Sequence, residues 1–131
     1  MIDAAVALWF RALPYQPKVI RARFENAAQL GQAQWTKADA TPVIVLAEHL
    51  DEDAALRIAA HEAAHILLGH ITKPMPYQRR RPLVDATDYR RQGDADRHRR
   101  IEAQAEAKAL QLMLDWQIYR LGLILERKNI R

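Results

Sequence analysis

Residues 58–68, IAAHEAAHILL, form the segment that most restricts how this chain can fold. Asp51 is a suitable N-cap, Glu52 and Asp53 suit the positive end of a helix dipole, and Gly69 suits a helix C-terminus. The sequence therefore predicts a helix from about Glu52 to Leu68. Because residues 58–68 of this helix are apolar almost all round, most of its surface must be buried.

Two histidines and a glutamate interrupt this apolar surface. Residues advance by about 100° per position on an α-helix, so His61 and His65 lie about 40° apart, one turn from each other. Both imidazoles can therefore reach one point in space. Glu62 lies about 60° from His65, where it is placed to contact a water on a metal rather than to be a third ligand. H-E-x-x-H on a helix is the arrangement of two zinc ligands and a general base.

The alternative is a pair of core histidines whose hydrogen bonds are satisfied within the protein. Glu62 argues against it, because a buried carboxylate is costly unless it is paired or lies near a metal. His70, the third histidine of the segment, is interpreted as a helix-end residue. It would lie about 140° from His65 if the helix continued, so it could share the site only if the helix broke at Gly69.

A third metal ligand is expected downstream, because a catalytic zinc takes three protein ligands and keeps one position for water. In RIEAQAEAKALQLMLDW, residues 100–116, Glu102 and Glu106 share a helical face with Ala105, Ala109, Met113 and Trp116. Two like charges one turn apart repel, which disfavours a simple solvent-facing pair. We predict that Glu102 binds the metal and that Glu106 accepts a hydrogen bond from the other ring nitrogen of a ligand histidine.

The remaining pattern predicts a single α+β domain over residues 1–131. A first helix is predicted from Ile2 to Leu13, closed by Pro14 and Pro17. Strands are predicted in KVIRARF, GQAQWTK and PVIVLAE, residues 18–24, 31–37 and 42–48. The short connection between the last two predicts antiparallel pairing. A third helix should begin near His98 and reach at least Tyr119; Gly122 is a candidate break, and the tail 120–131 could extend the helix or pack as a short apolar segment.

Residues 71–97 are predicted to be a long basic loop that interrupts the helical pattern. Residues 71–100 contain 9 basic and 4 acidic side chains, whereas residues 1–70 contain 6 and 8. A loop of this length in a small domain is usually functional or mobile. We expect a positively charged flap beside the metal; the alternative is a solvated loop. Tyr77, Tyr89 and His98 are candidate donors to an oxyanion, each with the alternative of an ordinary surface residue.

Composition narrows the class of protein. The chain has no run of eighteen apolar residues, which argues against a membrane span. The first residues, MIDAAVALWFRALP, carry an acid and no basic segment before the apolar part, as in a mature helix rather than a signal peptide. The absence of cysteine excludes disulfides, thiolate zinc sites and cysteine nucleophiles. These features fit a cytoplasmic protein.

Two segments resemble the ImmA/IrrE-type metallopeptidases. PVIVLAEHLDEDAALRIAAHEAAHILLGH, residues 42–70, resembles the strand and helix that lead into H-E-x-x-H in that family. IEAQAEAKALQLML resembles the family's glutamate-bearing segment, which it matches in order at Glu102, Ala105, Ala109, Leu112 and Met113. Glu106 departs from the usual Asn or Asp, Lys108 from the usual Phe, and Asp115 follows a position where Pro is common. The resemblance covers residues 1–115.

The resemblance implies a small zincin-like, gluzincin-like domain, with a short antiparallel sheet packed on the H-E-x-x-H helix and a third helix that bears the glutamate. It implies a Zn²⁺ cofactor on His61, His65 and Glu102, and cleavage of a protein substrate, often a helix-turn-helix repressor encoded nearby.

The competing hypothesis is a non-catalytic, zinc-stabilised binding or regulatory module whose basic loop contacts an acidic partner or nucleic acid. A purely structural site would not need Glu62, which favours the enzyme. The loop lacks the regular aromatic interleaving of a stacking platform, so direct nucleic-acid binding is disfavoured. The natural substrate and the oligomeric state are left open.

Overall fold

The computed structural model describes residues 1–73 and 92–129 of the chain. Over these ranges three helices and three strands follow one another: α1 (Ile2–Trp9), β1 (Lys18–Ala22), β2 (Gly31–Gln34), β3 (Val43–Ala47), α2 (Glu52–Leu67) and α3 (Gln92–Asn129). The predicted α+β class is confirmed. Within the described ranges no helix is long and apolar enough to cross a membrane.

The sheet is mixed rather than entirely antiparallel. Its strand order is β1-β3-β2, so β3 is central and β2 forms one edge. β2 pairs antiparallel with β3, as predicted, with Gln32 opposite Val45. β1, in contrast, pairs parallel with β3, with Ile20 opposite Val45. The difference arises because β2 lies between β1 and β3 in the chain and runs in the opposite direction to both. The chain therefore reverses twice, and β3 runs in the same direction as β1.

α2 is the central helix of the fold, and the caps predicted for it are formed. The Asp51 carboxylate accepts a hydrogen bond of 2.8 Å from the Ala54 N–H. At the other end Gly69 has φ 76°, and the N–H groups of Gly69 and His70 donate to the carbonyls of Ile66 and His65 at 3.1 and 2.9 Å. This is the glycine-terminated Schellman motif. Small buried side chains let the sheet and both other helices approach α2: Ala55, Ala59, Ala60, Ala63 and Ala64.

α1 is shorter than predicted and connects the N-terminal segment to α3. It ends at Trp9, and residues 10–13 form turns ahead of Pro14, because a residue before proline is disfavoured in the α region. The buried indole N–H of Trp9 donates a 2.8 Å hydrogen bond to the carbonyl of Leu112. This bond holds α1 on the same side of α3 as the core residues Ala105, Ala109 and Trp116.

α3 is longer than predicted at both ends. Residues 92–97, predicted as loop, are helical, and the helix continues through Gly122 to Asn129. The prolines that indicated a loop all lie before residue 83, and an Asp96–Arg99 ion pair of i, i+3 spacing supports the early turns. A helical glycine costs only about 1 kcal/mol relative to alanine, which does not stop a helix of strong helix formers. The rest of the predicted basic loop, residues 74–91, lies outside the described residues.

Candidate metal centre

Helices α2 and α3 bring His61, His65 and Glu102 together. The Nε2 atoms of the two histidines lie 3.2 Å apart. Nε2 of His61 lies 3.1 Å from Oε2 of Glu102, and Nε2 of His65 lies 3.3 Å from Oε1 of the same carboxylate. Within the described ranges these three residues are the group whose atoms are arranged to hold a metal ion.

The donor spacing fits a tetrahedral ion. Ligand atoms about 2.0–2.1 Å from a tetrahedral zinc are separated from one another by roughly 3.3 Å. Nε2 of His61 agrees with that separation in its distances to Nε2 of His65, 3.2 Å, and to Oε2 of Glu102, 3.1 Å, whereas Nε2 of His65 lies 3.3 Å from the other Glu102 oxygen, Oε1. The histidine side chains are 23% and 11% exposed and the Glu102 side chain is 42% exposed, so the group is open to solvent on the α3 side.

The surroundings of His65 favour its neutral imidazole, the form that binds a metal. Burial lowers its pKa below 6.5, an effect that Glu102 opposes and that the charges of His61, His70 and His98 reinforce. A histidine binds a metal only as the neutral imidazole. Its environment therefore favours the binding-competent form at neutral pH.

Glu62 lies beside this group on the sheet side of α2. Burial raises its pKa from 4.5 to about 7; the charge of His61 and a hydrogen bond from the backbone N–H of Ala33 lower it, and the charge of Glu102 raises it. The Glu62 carboxylate therefore interacts electrostatically with two of the three residues of the group, His61 and Glu102. A β-carbon at Gly31 would lie 3.4 Å from Cγ of Glu62 and would collide with Cγ2 of Ile58. The glycine thus lets β2 approach α2 closely at this point.

Glu106 lies beside the ring nitrogen of His61 that does not contact Glu102. Its Oε2 atom is 3.1 Å from Nδ1 of His61, on the side of the ring away from Glu102. One turn of α3 therefore presents one carboxylate to each ring nitrogen of His61.

His70 and Gln104 extend the set of side chains around His65. His70 is a helix-end residue, as predicted, but its Nδ1 atom lies 3.0 Å from Nδ1 of His65. Its Nε2 atom lies 3.1 Å from Oε1 of Gln104. The break at Gly69 makes this return of the chain sterically accessible, and Gly69-His70 was the signal that could have revealed it.

Of the three candidate oxyanion donors, Tyr77 and Tyr89 lie outside the described residues. His98 lies on α3 one turn before Glu102, and its charge contributes to lowering the pKa of His65. His98 therefore interacts electrostatically with His65.

A cleft of about 420 Å³ opens beside His61. Its walls come from the residues just before β2 and α2, from the first ten residues of α2 and from α3, and its lining residues are Leu30, Leu50, Ala54, Arg57, Ile58, His61 and Glu106. The walls are mainly apolar, with Arg57 and Glu106 as charged groups. The cleft has the size and composition of a small binding site.

An α+β domain in which an H-E-x-x-H helix and a glutamate from a later helix converge on one point is the architecture of zincin-like metalloproteins. Over residues 15–121 the chain matches the family model of peptidase M78, described as IrrE N-terminal-like domain. The match covers most of the chain, so the chain belongs to this family, which points to a metallopeptidase. The resemblance to ImmA/IrrE-type proteins is thereby confirmed. No curated protein and no solved structure matches the chain.

Proposed function

We propose that the protein is a zinc-dependent endopeptidase in which His61, His65 and Glu102 hold the metal and Glu62 is the general base. The observation that carries the proposal is the convergence of two Nε2 atoms and one carboxylate at 3.1–3.3 Å, with a second carboxylate beside them. Structural zinc sites have four protein ligands, whereas catalytic sites have three and keep one position open.

Each residue has a defined task in this reaction. When bound, zinc lowers the pKa of a water and polarises the scissile carbonyl. Glu62 accepts a proton from the water and passes it to the leaving amine. We assign the additional oxyanion donor to His98, since it lies one turn from Glu102.

The edge strand β2 supports an extended peptide as substrate. The Ala47 N–H donates to the Leu30 carbonyl at 2.9 Å, so Leu30, Gln32 and Gln34 form the hydrogen-bonded pairs with β3. The N–H and carbonyl of Gly31 and the carbonyl of Ala33 then point away from β3, beside the Ala33 N–H that donates to Glu62. A peptide that adds to such an edge gains main-chain hydrogen bonds, and a neighbouring pocket selects its side chains. The apolar cleft beside His61 is in position to be that pocket.

The substrate is proposed to be a protein. A helix-turn-helix repressor is the candidate that the family resemblance supplies. Membrane partners are not part of the proposal, and nucleic acid is not proposed as a direct ligand.

The test compares the zinc-loaded wild type with Glu62→Gln on repressor proteins encoded near the gene and on an unfolded model protein. Mass spectrometry of the products locates any cleaved bond. We expect cleavage by the wild type, a loss of at least about 100-fold in the variant, and equal zinc content in both. A wild type that binds zinc but cleaves none of these proteins would favour the non-catalytic module. A variant that cleaves at the wild-type rate would remove Glu62 as the base.

A further inference from the structure

The Nδ1 atoms of the two ligand histidines meet different partners. Nδ1 of His61 lies 3.1 Å from a carboxylate, that of Glu106. Nδ1 of His65 lies 3.0 Å from another imidazole, that of His70, whose far nitrogen lies 3.1 Å from the amide oxygen of Gln104. The proposed function assigns no role to His70 or Gln104.

The chemistry of the three groups orders the protons along this chain. If the metal is held by Nε2 of His65, the proton of the neutral ring must be on Nδ1. Nδ1 of His65 is then a donor, and Nδ1 of His70 must be an acceptor. The remaining proton of neutral His70 lies on Nε2, which donates to Oε1 of Gln104. Each link has one donor and one acceptor, and no charged group is required.

The contact between His65 and His70 is fixed by the backbone in addition to the side chains. Through the Schellman motif, the His70 N–H donates to the carbonyl of His65 at 2.9 Å. Two bonds therefore join the same two residues, one between their backbones and one between their rings. Gly69 makes this possible because its φ of 76° lies in the left-handed region that favours glycine.

We propose that His70 is a positioning residue for the metal: held by Gln104, it accepts the Nδ1 proton of His65 and so presents Nε2 of His65 as the ligand atom. The proposal rests on the metal centre of the proposed function but not on peptidase activity. Groups that hydrogen-bond to a ligand histidine typically change metal affinity by about 10- to 100-fold when they are removed. The Nδ1 atom of His65 has a neutral partner, whereas that of His61 has an anionic one, so the two ligand imidazoles differ in their electrostatic environment.

The test measures zinc affinity by competition with a chromophoric chelator at one fixed pH. His70→Ala removes the acceptor, whereas His70→Asn keeps an acceptor oxygen near the place of Nδ1. We expect His70→Ala to bind zinc about 10-fold or more weakly than the wild type, and His70→Asn to recover most of that loss. Gln104→Leu, on an exposed position of α3 that the fold does not need, should weaken binding by a smaller factor. Gln104→Glu keeps the acceptor and should stay near the wild type.

The tautomer of His65 provides a second readout. In the zinc-loaded wild type, long-range ¹⁵N–¹H spectra of the imidazoles should show the proton of His65 on Nδ1. The cobalt-substituted protein should show a changed absorption band in His70→Ala and an unchanged one in His70→Asn. These measurements are independent of catalysis, so a zinc-binding protein without peptidase activity would disprove the proposed function and still test His70.

Three results would overturn the role of His70. Equal zinc affinity of His70→Ala and the wild type would show that the contact does not matter. Equal losses in His70→Ala and His70→Asn would show that His70 acts through packing rather than as an acceptor. A proton on Nε2 of zinc-free His65, with no zinc bound by the wild type, would overturn both this role and the metal centre.

Discussion

The carboxylate of Glu62 accepts a hydrogen bond from the backbone N–H of Ala33, on the edge strand of the sheet. This contact connects the H-E-x-x-H helix to the strand on which we place the substrate. The same carboxylate is buried enough that its pKa rises to about 7. A buried carboxylate with a raised pKa destabilises the folded protein when it is charged, so the proposed base should be detectable in the pH dependence of stability.

We predict that Glu62→Gln stabilises the metal-free protein at alkaline pH. A group whose pKa is raised from 4.5 to about 7 on folding contributes stability below pH 4.5, and this contribution is lost as the pH rises through 7. The amide is neutral at every pH and retains an acceptor for the Ala33 N–H. The free energy of unfolding of the variant should therefore exceed that of the wild type by roughly 2–3 kcal/mol at pH 8, a difference that should shrink towards pH 4.5.

Urea unfolding with a chelator present, at a series of pH values, measures this difference. Glu126→Gln, the same substitution at an exposed position of α3, is the matched control and should follow the wild type. Parallel stability curves for the wild type and Glu62→Gln from pH 4.5 to 8 would mean that Glu62 is not buried in the metal-free protein.

A second prediction separates the two glutamates of α3. The two oxygens of Glu102 lie beside the Nε2 atoms of His61 and His65, whereas Glu106 contacts only Nδ1 of His61. Glu102→Ala should therefore reduce zinc affinity by more than about 100-fold, and Glu106→Ala by about 10-fold. Competition with a chelator gives both values. Similar losses in the two variants, or a larger loss for Glu106→Ala, would contradict the assignment of Glu102 as the third ligand.

The positions of site residues that depend only on the geometry of a single helix could be predicted from the sequence. His61, His65 and the flanking position of Glu62 need only helical geometry, and Glu102 and Glu106 need only the apolar face of α3. His70 could not be placed this way, because its position depends on the left-handed turn at Gly69 and not on continued helix. Gln104 meets His70 only through the packing of α3 against the end of α2.

The same distinction between local and non-local information holds for the fold. Asp51 and Gly69 act within a few residues of the ends of α2, and both ends of that helix were predicted to within one residue. The parallel pairing of β1 with β3 joins segments on either side of β2, and no local pattern encodes its direction. The start of α3 was misplaced because charged, solvent-facing turns carry no apolar period to distinguish helix from loop.

A third prediction concerns the close approach of β2 to α2 at Gly31. Gly31→Ala should displace β2, because the added methyl group would collide with Ile58 and crowd Glu62. We expect a loss of stability of about 1–3 kcal/mol and, in the zinc-loaded protein, a lower kcat with little change in zinc affinity. Chemical denaturation and cleavage kinetics measure the two effects.

Gly122→Ala is the matched control for Gly31→Ala. A β-carbon at Gly122 would meet nothing within 4 Å, and the residue is exposed in α3. The same change of side chain should there stabilise the protein by about 0.5–1 kcal/mol through helix propensity. A neutral or stabilising Gly31→Ala would show that β2 and α2 do not need this close contact.

The last prediction concerns the basic segment 71–100, whose net charge of +5 exceeds the +4 of the whole chain. His70, directly before the segment, contacts His65, and the charge of His98, near the end of the segment, affects the pKa of His65. We propose that the segment steers acidic stretches of the substrate to the site, which raises the rate of encounter more than the strength of binding. Replacing Arg79, Arg80 and Arg81 with Ser should lower kcat/KM on an acidic substrate by about 3- to 10-fold at an ionic strength near 0.01 M, where charges act over about 30 Å. The deficit should largely disappear near 0.15 M, and zinc content should not change.

Substituting Arg11, Arg23 and Lys37 with Ser removes the same net charge from the first part of the chain and should leave kcat/KM close to the wild type. Equal losses in the two triple variants would attribute the effect to total charge, and unchanged kinetics in the first would exclude steering by this segment.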